Sequence, residues 1–239
     1  ANIVATTSHA DTKRAVTQVD TDGKAGTAAV KSTNAANFGA VVIDDNATAA
    51  ITNVALNGYA SATIGGVAAL DALKTISLAN SGGATVVTTK ATSLDLTVNA
   101  VKHAVDLEVG ANAVATLKIN TTGANSAFAL DAADVKDLTI AGDKSVNLTG
   151  STLGALETVT VTGSASATLT AAAAKSVNTT GTTGDVTAVI TGATATYTGG
   201  AGKDTVTGNG NATKAINLGA GDDKVILSSG STAPTVEIV

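Results

Sequence analysis

The segment Leu117-Lys118-Ile119 returns as Leu138-Thr139-Ile140 and again as Val159-Thr160-Val161, at a constant interval of 21. Leu96-Thr97-Val98 precedes the first of these segments by the same interval, and Ile76-Ser77-Leu78 is a fifth copy slightly off the register. Each copy reads apolar, polar, apolar, which is typical of a half-buried β-strand. A strand that returns at a fixed interval predicts coils stacked on one another.

A second register runs between these strands. Residues 147–150 recur at 168–171 and again at 189–192, with the same interval of 21. Two short strands per period, joined by Gly, Asn and Ser turns, predict an all-β, parallel β-solenoid with coils of about 21 residues over 71–198. Its coils would stack roughly 4.8 Å apart, with Leu and Val ladders inside and Thr ladders outside.

Two other folds fit part of this pattern. A β-sandwich also has short alternating strands, but it gives no reason for one register to return three times at the same interval. Leucine-rich repeats fit residues 73–80, which read LKTISLAN. The other copies lack the Asn, and the second strand register occupies the place of the helix in that fold.

The chain divides into three parts. Residues 1–70 are less regular, although Val41-Val42-Ile43 reads as a strand, and this segment either begins the solenoid or forms a separate part. Residues 71–198 carry the repeats. Residues 199–239 are expected to form the end of the solenoid and to carry a Gly-rich motif.

The composition suits a thin, regular β-stack. The chain of 239 residues has no Cys, Met or Trp and only four Phe and Tyr residues in total. Ala, Val and Thr dominate instead, together with 25 Gly. Small and β-branched side chains favour pleated stacks over a thick layered core, and the lack of Cys excludes disulfides.

The charge pattern limits the partners. The net charge is −5, Arg14 is the only Arg and no basic cluster is present, which argues against nucleic acid as a partner. Acidic groups are suited instead to hold a hard cation. No apolar run approaches the roughly 20 residues of a membrane span, so none is expected.

The stretch Gly199-Gly200-Ala201-Gly202-Lys203-Asp204-Thr205-Val206-Thr207 matches G-G-x-G-x-D-x-U-x at every specified position. This is the calcium-binding nonapeptide of RTX proteins, and the resemblance to that repeat is direct. Glycines allow a turn to aim its carbonyls at an ion, and the Asp adds a charged oxygen. The expected ligand is therefore Ca²⁺.

A second copy, residues 218–226, lacks only the first Gly of the motif, and a degenerate copy lies between the two. The resemblance implies that residues 199–239 form a calcium-binding β-roll and the C-terminal end of the solenoid. In the RTX roll, alternate repeats stack on the same side. The resemblance implies that Asp204 and Asp223 face each other across one ion, with no ion at the degenerate repeat, where Lys214 would oppose it. The predicted metal-site residues are Gly200, Gly202, Asp204, Gly219, Gly221, Asp222 and Asp223.

No catalytic constellation is recognisable, and the chain is expected not to be an enzyme. His9 and His103 are far apart, and no H-E-x-x-H motif is present for a zinc site. There is no G-x-S-x-G nucleophile elbow. The few aromatic residues argue against a glycosidase, which would need platforms for sugar rings.

The composition, the β-repeats and the nonapeptides together resemble the RTX-repeat surface-layer proteins of Gram-negative bacteria, which leave the cell by type I secretion. The resemblance implies an extracellular, structural protein of the bacterial cell surface. It would fold with calcium and assemble with copies of itself into a layer or filament, with cell-surface polysaccharide as a further partner.

Two features depart from that family: only residues 228–239 follow the repeats, and no lipopolysaccharide-anchoring module is evident. Both suggest a fragment or a smaller relative. One alternative is a repeat module of an RTX adhesin. Another is an ice-binding β-solenoid, because residues 158–162 and 194–198 present Thr at alternate positions.

Overall fold

The computed structural model describes residues 3–7, 16–19, 26–32, 38–44, 51–66, 69–107 and 114–228. These residues form strands and turns and no helix. Every strand pairing among them is parallel, as in a solenoid and unlike the antiparallel pairing of a sandwich. The predicted all-β, parallel β-solenoid is therefore confirmed. His9, Arg14 and residues 229–239 lie outside the described residues.

The strands form two sheets. Sheet A, with 16 strands, begins with β1 Ile3–Thr7, β2 Val16–Val19, β3 Gly26–Ser32, β4 Phe38–Asp44 and β5 Ile51–Ile64. It continues with β6 Thr75–Ser81, β7 Thr85–Val87, β8 Ser93–Asn99, β9 Val105–Asp106, β10 Thr116–Thr121, β12 Leu130–Asp131, β13 Asp137–Gly142, β15 Thr158–Gly163, β17 Ser176–Thr182, β19 Thr196–Thr198 and β21 Ile216–Asn217. Sheet B, with six strands, contains β11 Ser126–Ala127, β14 Val146–Asn147, β16 Ala167–Thr170, β18 Val186–Val189, β20 Thr205–Gly208 and β22 Lys224–Leu227.

Successive coils stack along one axis. In sheet A the order is β5, β6, β8, β10, β13, β15, β17, β19 and β21, which from β6 onward marks about eight coils. The long strand β5 also pairs with β3 and β4, so the described strands of the N-terminal part belong to the same sheet. The strand expected at Val41-Val42-Ile43 lies within β4.

The predicted register is correct in the central coils. Leu117 pairs with Leu138, and Leu138 pairs with Val159, at the interval of 21. The predicted pairing of Leu96 with Leu117 is wrong, because Leu96 pairs with Ile119. Side chains along a strand point alternately inward and outward, with a period of two residues. A shift of the strand pairing by two residues therefore keeps the same side chains inside, and the sequence pattern does not reveal such a shift.

The second register shows the same kind of error. Asn147 pairs with Thr168 as predicted, but Thr168 pairs with Thr187 rather than with Val189. The coils also become shorter toward the C-terminal end. In sheet A, Val159 pairs with Val177, Val177 with Tyr197 and Tyr197 with Ile216, so the interval is 18, then 20, then 19.

Two columns of buried side chains from sheet A fill the core. The first inward column consists of Leu94, Leu117, Leu138, Val159, Val177, Tyr197 and Ile216. The second inward column consists of Val54, Ile76, Leu96, Ile119, Ile140 and Val161. The register between β15 and β17 shifts between Thr160 and Thr162, and in this stretch β17 buries the polar Thr179.

Sheet B supplies the opposite wall. Its inward column runs Ser126, Val146, Ala167 and Val186, all buried. The registers of β18, β20 and β22 place Asp204 and then Asp223 next in this column. Within the described ranges, no helix is long and apolar enough to cross a bilayer.

Candidate metal centre

The two matching nonapeptides stack on one side of the solenoid. The amide of Ala220 donates to the carbonyl of Gly200 at 2.9 Å, and that of Lys224 donates to the carbonyl of Asp204 at 2.8 Å. The degenerate repeat lies between them in sequence and forms the turn that returns the chain to sheet A. There the amide of Ala212 donates to the carbonyl of Asn209 at 3.1 Å, and Lys214 is exposed.

The glycines of both repeats bring the turns into backbone contact. A Cβ on Gly202 would clash with the carbonyl oxygen of Gly184 in the preceding coil, and one on Gly221 would clash with that of Gly202. Gly219 and Gly221 also have φ angles of +86° and +144°, which other residues rarely adopt. The turns of successive coils are thus packed backbone to backbone, with no room for a side chain between them.

Asp204 is the centre of a buried polar cluster, with a relative exposure of 0%. Its Oδ1 accepts a hydrogen bond from the amide of Val186 at 3.0 Å. Its Oδ2 accepts one from the hydroxyl of Tyr197 at 2.8 Å, and the Thr179 hydroxyl is a longer donor at 3.4 Å. The carboxylate therefore points into the core and toward the preceding coil.

Asp223 repeats this arrangement one coil later. It is half-buried, and its Oδ1 accepts a hydrogen bond from the amide of Asp204 at 2.7 Å. Both carboxylates thus point the same way along the axis, each onto the backbone of the coil before it. Asp222 differs, because it is exposed, as is Lys203 one coil earlier.

Burial makes the charge of Asp204 costly. Desolvation raises the pKa of its carboxyl, the hydrogen bonds from Tyr197 and Val186 lower it, and the negative charge of Asp223 raises it further. Burial also raises the pKa of Tyr197 well above its ordinary value, so its hydroxyl stays protonated and donates. A cation beside the two carboxylates would offset the cost of burying them.

The structure brings together six of the seven predicted residues, the four glycines with Asp204 and Asp223, and leaves Asp222 at the surface. Sequence reasoning missed Tyr197, Thr179 and the amide of Val186. One signal was present for Tyr197, since a Tyr stands in a register otherwise filled by Leu, Val and Ile. Nothing in the sequence pattern indicated that its hydroxyl reaches Asp204.

The available donors are two carboxylates and the turn carbonyls, which are all oxygens. No group of three or more His, Cys, Asp or Glu side chains within the described ranges is placed to hold a metal ion. His103 is exposed. Calcium accepts backbone carbonyls together with carboxylates, so this donor set fits calcium better than it fits a metal that needs His or Cys.

No protein-family model, no curated protein and no solved structure matches this chain.

Proposed function

We propose that this protein is a non-enzymatic structural protein of a bacterial cell surface, which binds one calcium ion in its C-terminal coils and assembles with copies of itself into a layer or filament. One observation carries the proposal: Asp204 and Asp223 enter the inward column of sheet B beside stacked glycine turns. The likeness of the motif to RTX repeats supports calcium as the ion.

Calcium would couple folding to the extracellular medium. An ion that binds only the folded coils stabilises them by linkage, by about 2.7 kcal/mol when its concentration is 100 times its dissociation constant. Calcium is scarce in cytoplasm and plentiful outside cells. The C-terminal coils would accordingly become ordered after export, with Gly200, Gly202, Gly219, Gly221 and the two Asp residues around the ion.

The last strand that the structure describes, β22, carries a candidate surface for assembly. Ile226 and Leu227, with 41% and 37% relative exposure, are the exposed large apolar side chains within the described ranges, and both lie on β22. Strands at the end of a solenoid offer backbone groups to another chain. Contacts that repeat from head to tail without closing produce a filament.

Electron microscopy of the purified chain, with calcium and with a chelator, tests the proposal. Ordered layers or filaments are expected with calcium and not with the chelator, and calorimetry is expected to count one ion per chain. The double variant Asp204→Asn with Asp223→Asn should lose both, while the exposed Asp95→Asn serves as a matched control. Two or more strong sites in this segment would contradict the proposed register.

The same experiment separates the alternative of an adhesin repeat module, which would bind calcium and remain monomeric.

The alternative of ice binding comes from the outer face of sheet A. There one uncharged column consists of Thr139, Thr160, Asn178, Thr198 and Asn217. A regular column of Thr and Asn side chains suits ice binding. Thermal hysteresis of the purified chain would favour it, and normal freezing would exclude it.

A further inference from the structure

We infer that Tyr197 is the positioning residue of the calcium site: its hydroxyl holds the carboxylate of Asp204 in the orientation in which it meets the ion. This inference rests on the proposed calcium site. Tyr197 lies outside both nonapeptides, and the RTX motif assigns no role to that position.

The hydrogen bond from Tyr197 to Asp204 crosses the core. Tyr197 occupies the first inward column of sheet A, between Val177 and Ile216, and its relative exposure is 1%. Asp204 immediately precedes β20 of sheet B. The bond at 2.8 Å therefore ties the wall formed by sheet A to the turn that carries the carboxylate.

Donors on different coils orient this carboxylate, and the backbone of Gly200 adds a hydrogen bond from its own turn. Tyr197 donates to Oδ2, and the amide of Val186, one coil earlier, donates to Oδ1. Without the Tyr hydroxyl, the side-chain donor left for Oδ2 would be Thr179, at the longer distance of 3.4 Å. The carboxylate would then be held less firmly by its remaining backbone donors, so its orientation toward the ion would vary more.

The expected size of the effect follows from other metal sites. Groups that orient a ligand without touching the ion typically change metal affinity by about 10–100-fold when they are removed. The variant Tyr197→Phe removes one oxygen and keeps the ring in the apolar column. Its calcium affinity should fall by about 10-fold or more.

Tyr59 provides a matched control within the same chain. It is also fully buried, with 0% relative exposure, and its hydroxyl shares a hydrogen bond of 2.8 Å with Thr85. Its burial raises the pKa of Tyr59 to about 12, so it too remains a neutral phenol. Tyr59→Phe removes the same hydroxyl from the same kind of environment, but in β5, in a coil remote from Asp204.

Calorimetric titration with calcium compares the wild type with the two variants. We expect both variants to lose similar stability, and only Tyr197→Phe to lose calcium affinity. Equal affinities in the wild type and in Tyr197→Phe would overturn the inference while leaving the calcium site in place. A wild type that binds no calcium would overturn the proposed site and this inference together.

A second measurement does not require Tyr197→Phe to fold. The chain has no Trp and two Tyr, so emission that the protein sensitises from terbium bound in place of calcium reports a nearby Tyr. Tyrosine-sensitised terbium emission is expected from the wild type and, undiminished, from Tyr59→Phe. Its absence in a chain that calorimetry shows to bind terbium would place Tyr197 away from the ion and overturn the inference.

Discussion

The central coils and the C-terminal coils follow the same parallel stacking, but they differ in the side chains that fill their interior. In the central coils both inward columns are apolar, with Leu138 and Ile140 as one of the stacked pairs. In the C-terminal coils β17 buries the polar Thr179 instead of continuing the second inward column with an apolar residue. The buried Asp204 faces it from the inward column of sheet B. The repeat interval in sheet A is also shorter there than in the central coils.

This difference separates two sources of stability in one solenoid. The central coils bury large aliphatic side chains, which contribute about 1.5–3 kcal/mol each relative to exposure. The C-terminal coils replace part of this with hydrogen bonds and a buried carboxylate, whose net contribution is small unless a cation compensates the charge. We therefore expect the central coils to be stable without calcium and the C-terminal coils to depend on it.

The largest expected effect is in the central core. Leu138→Ala removes a side chain with 1% relative exposure and should cost about 2–5 kcal/mol of unfolding free energy, with or without calcium. Urea denaturation measures it. The neighbouring Thr139→Ala, on the outer face, should change stability by less than about 0.5 kcal/mol. A strong calcium dependence of the Leu138→Ala cost would contradict the comparison.

The next effect distinguishes two glycines. Gly202→Ala drives a Cβ against the carbonyl of Gly184 and should cost about 1–3 kcal/mol, seen as faster hydrogen exchange in the C-terminal coils only. Gly154→Ala is the control, because the nearest atom would lie 3.8 Å away and its φ is negative or extended. It should be neutral or slightly stabilising. Equal effects of the two changes would show that the turns are not tightly stacked.

The third prediction concerns pH in the presence of a chelator. Because the folded-state pKa of Asp204 is raised, the folded chain binds its proton more tightly than the unfolded chain does. The C-terminal coils should be most stable below the unfolded pKa of Asp, about 3.9, and lose stability as pH rises through the folded pKa. Hydrogen exchange across this range measures it, and Asp204→Asn should remove the dependence. The central coils should show no such trend from this residue.

The smallest effect lies at Ala100, which has a φ of +53°. Ala100→Gly should stabilise the chain by about 0.5–1 kcal/mol, because the left-handed strain of about 1–2 kcal/mol outweighs the extra backbone entropy of Gly. Ala129→Gly, where φ is not positive, should destabilise it by a similar amount. Thermal unfolding should show a higher Tm for Ala100→Gly and a lower Tm for Ala129→Gly than for the wild type. A lower Tm for Ala100→Gly would refute the assignment of strain at this position.

The sequence by itself determined the all-β solenoid, the pairing of Leu117 with Leu138 and the pairing of Leu138 with Val159. The resemblance of the motif to RTX repeats added the stacking of the two nonapeptides on one side. These features repeat along the chain, and each follows from alternation with a period of two and from glycines at set positions. Local pattern is enough because each coil contacts mainly its neighbours.

Only the tertiary structure decided the pairings of Leu96 and Thr168, the inward position of Asp204 and its hydrogen bond to Tyr197. A slip by one full alternation leaves the inside and outside faces unchanged, so the register depends on loop lengths that no pattern specifies. The contact between Tyr197 and Asp204 depends on which side chains meet across the core. That is settled by the shift at Thr160 and by the shortened coils, and not by any repeat in the sequence.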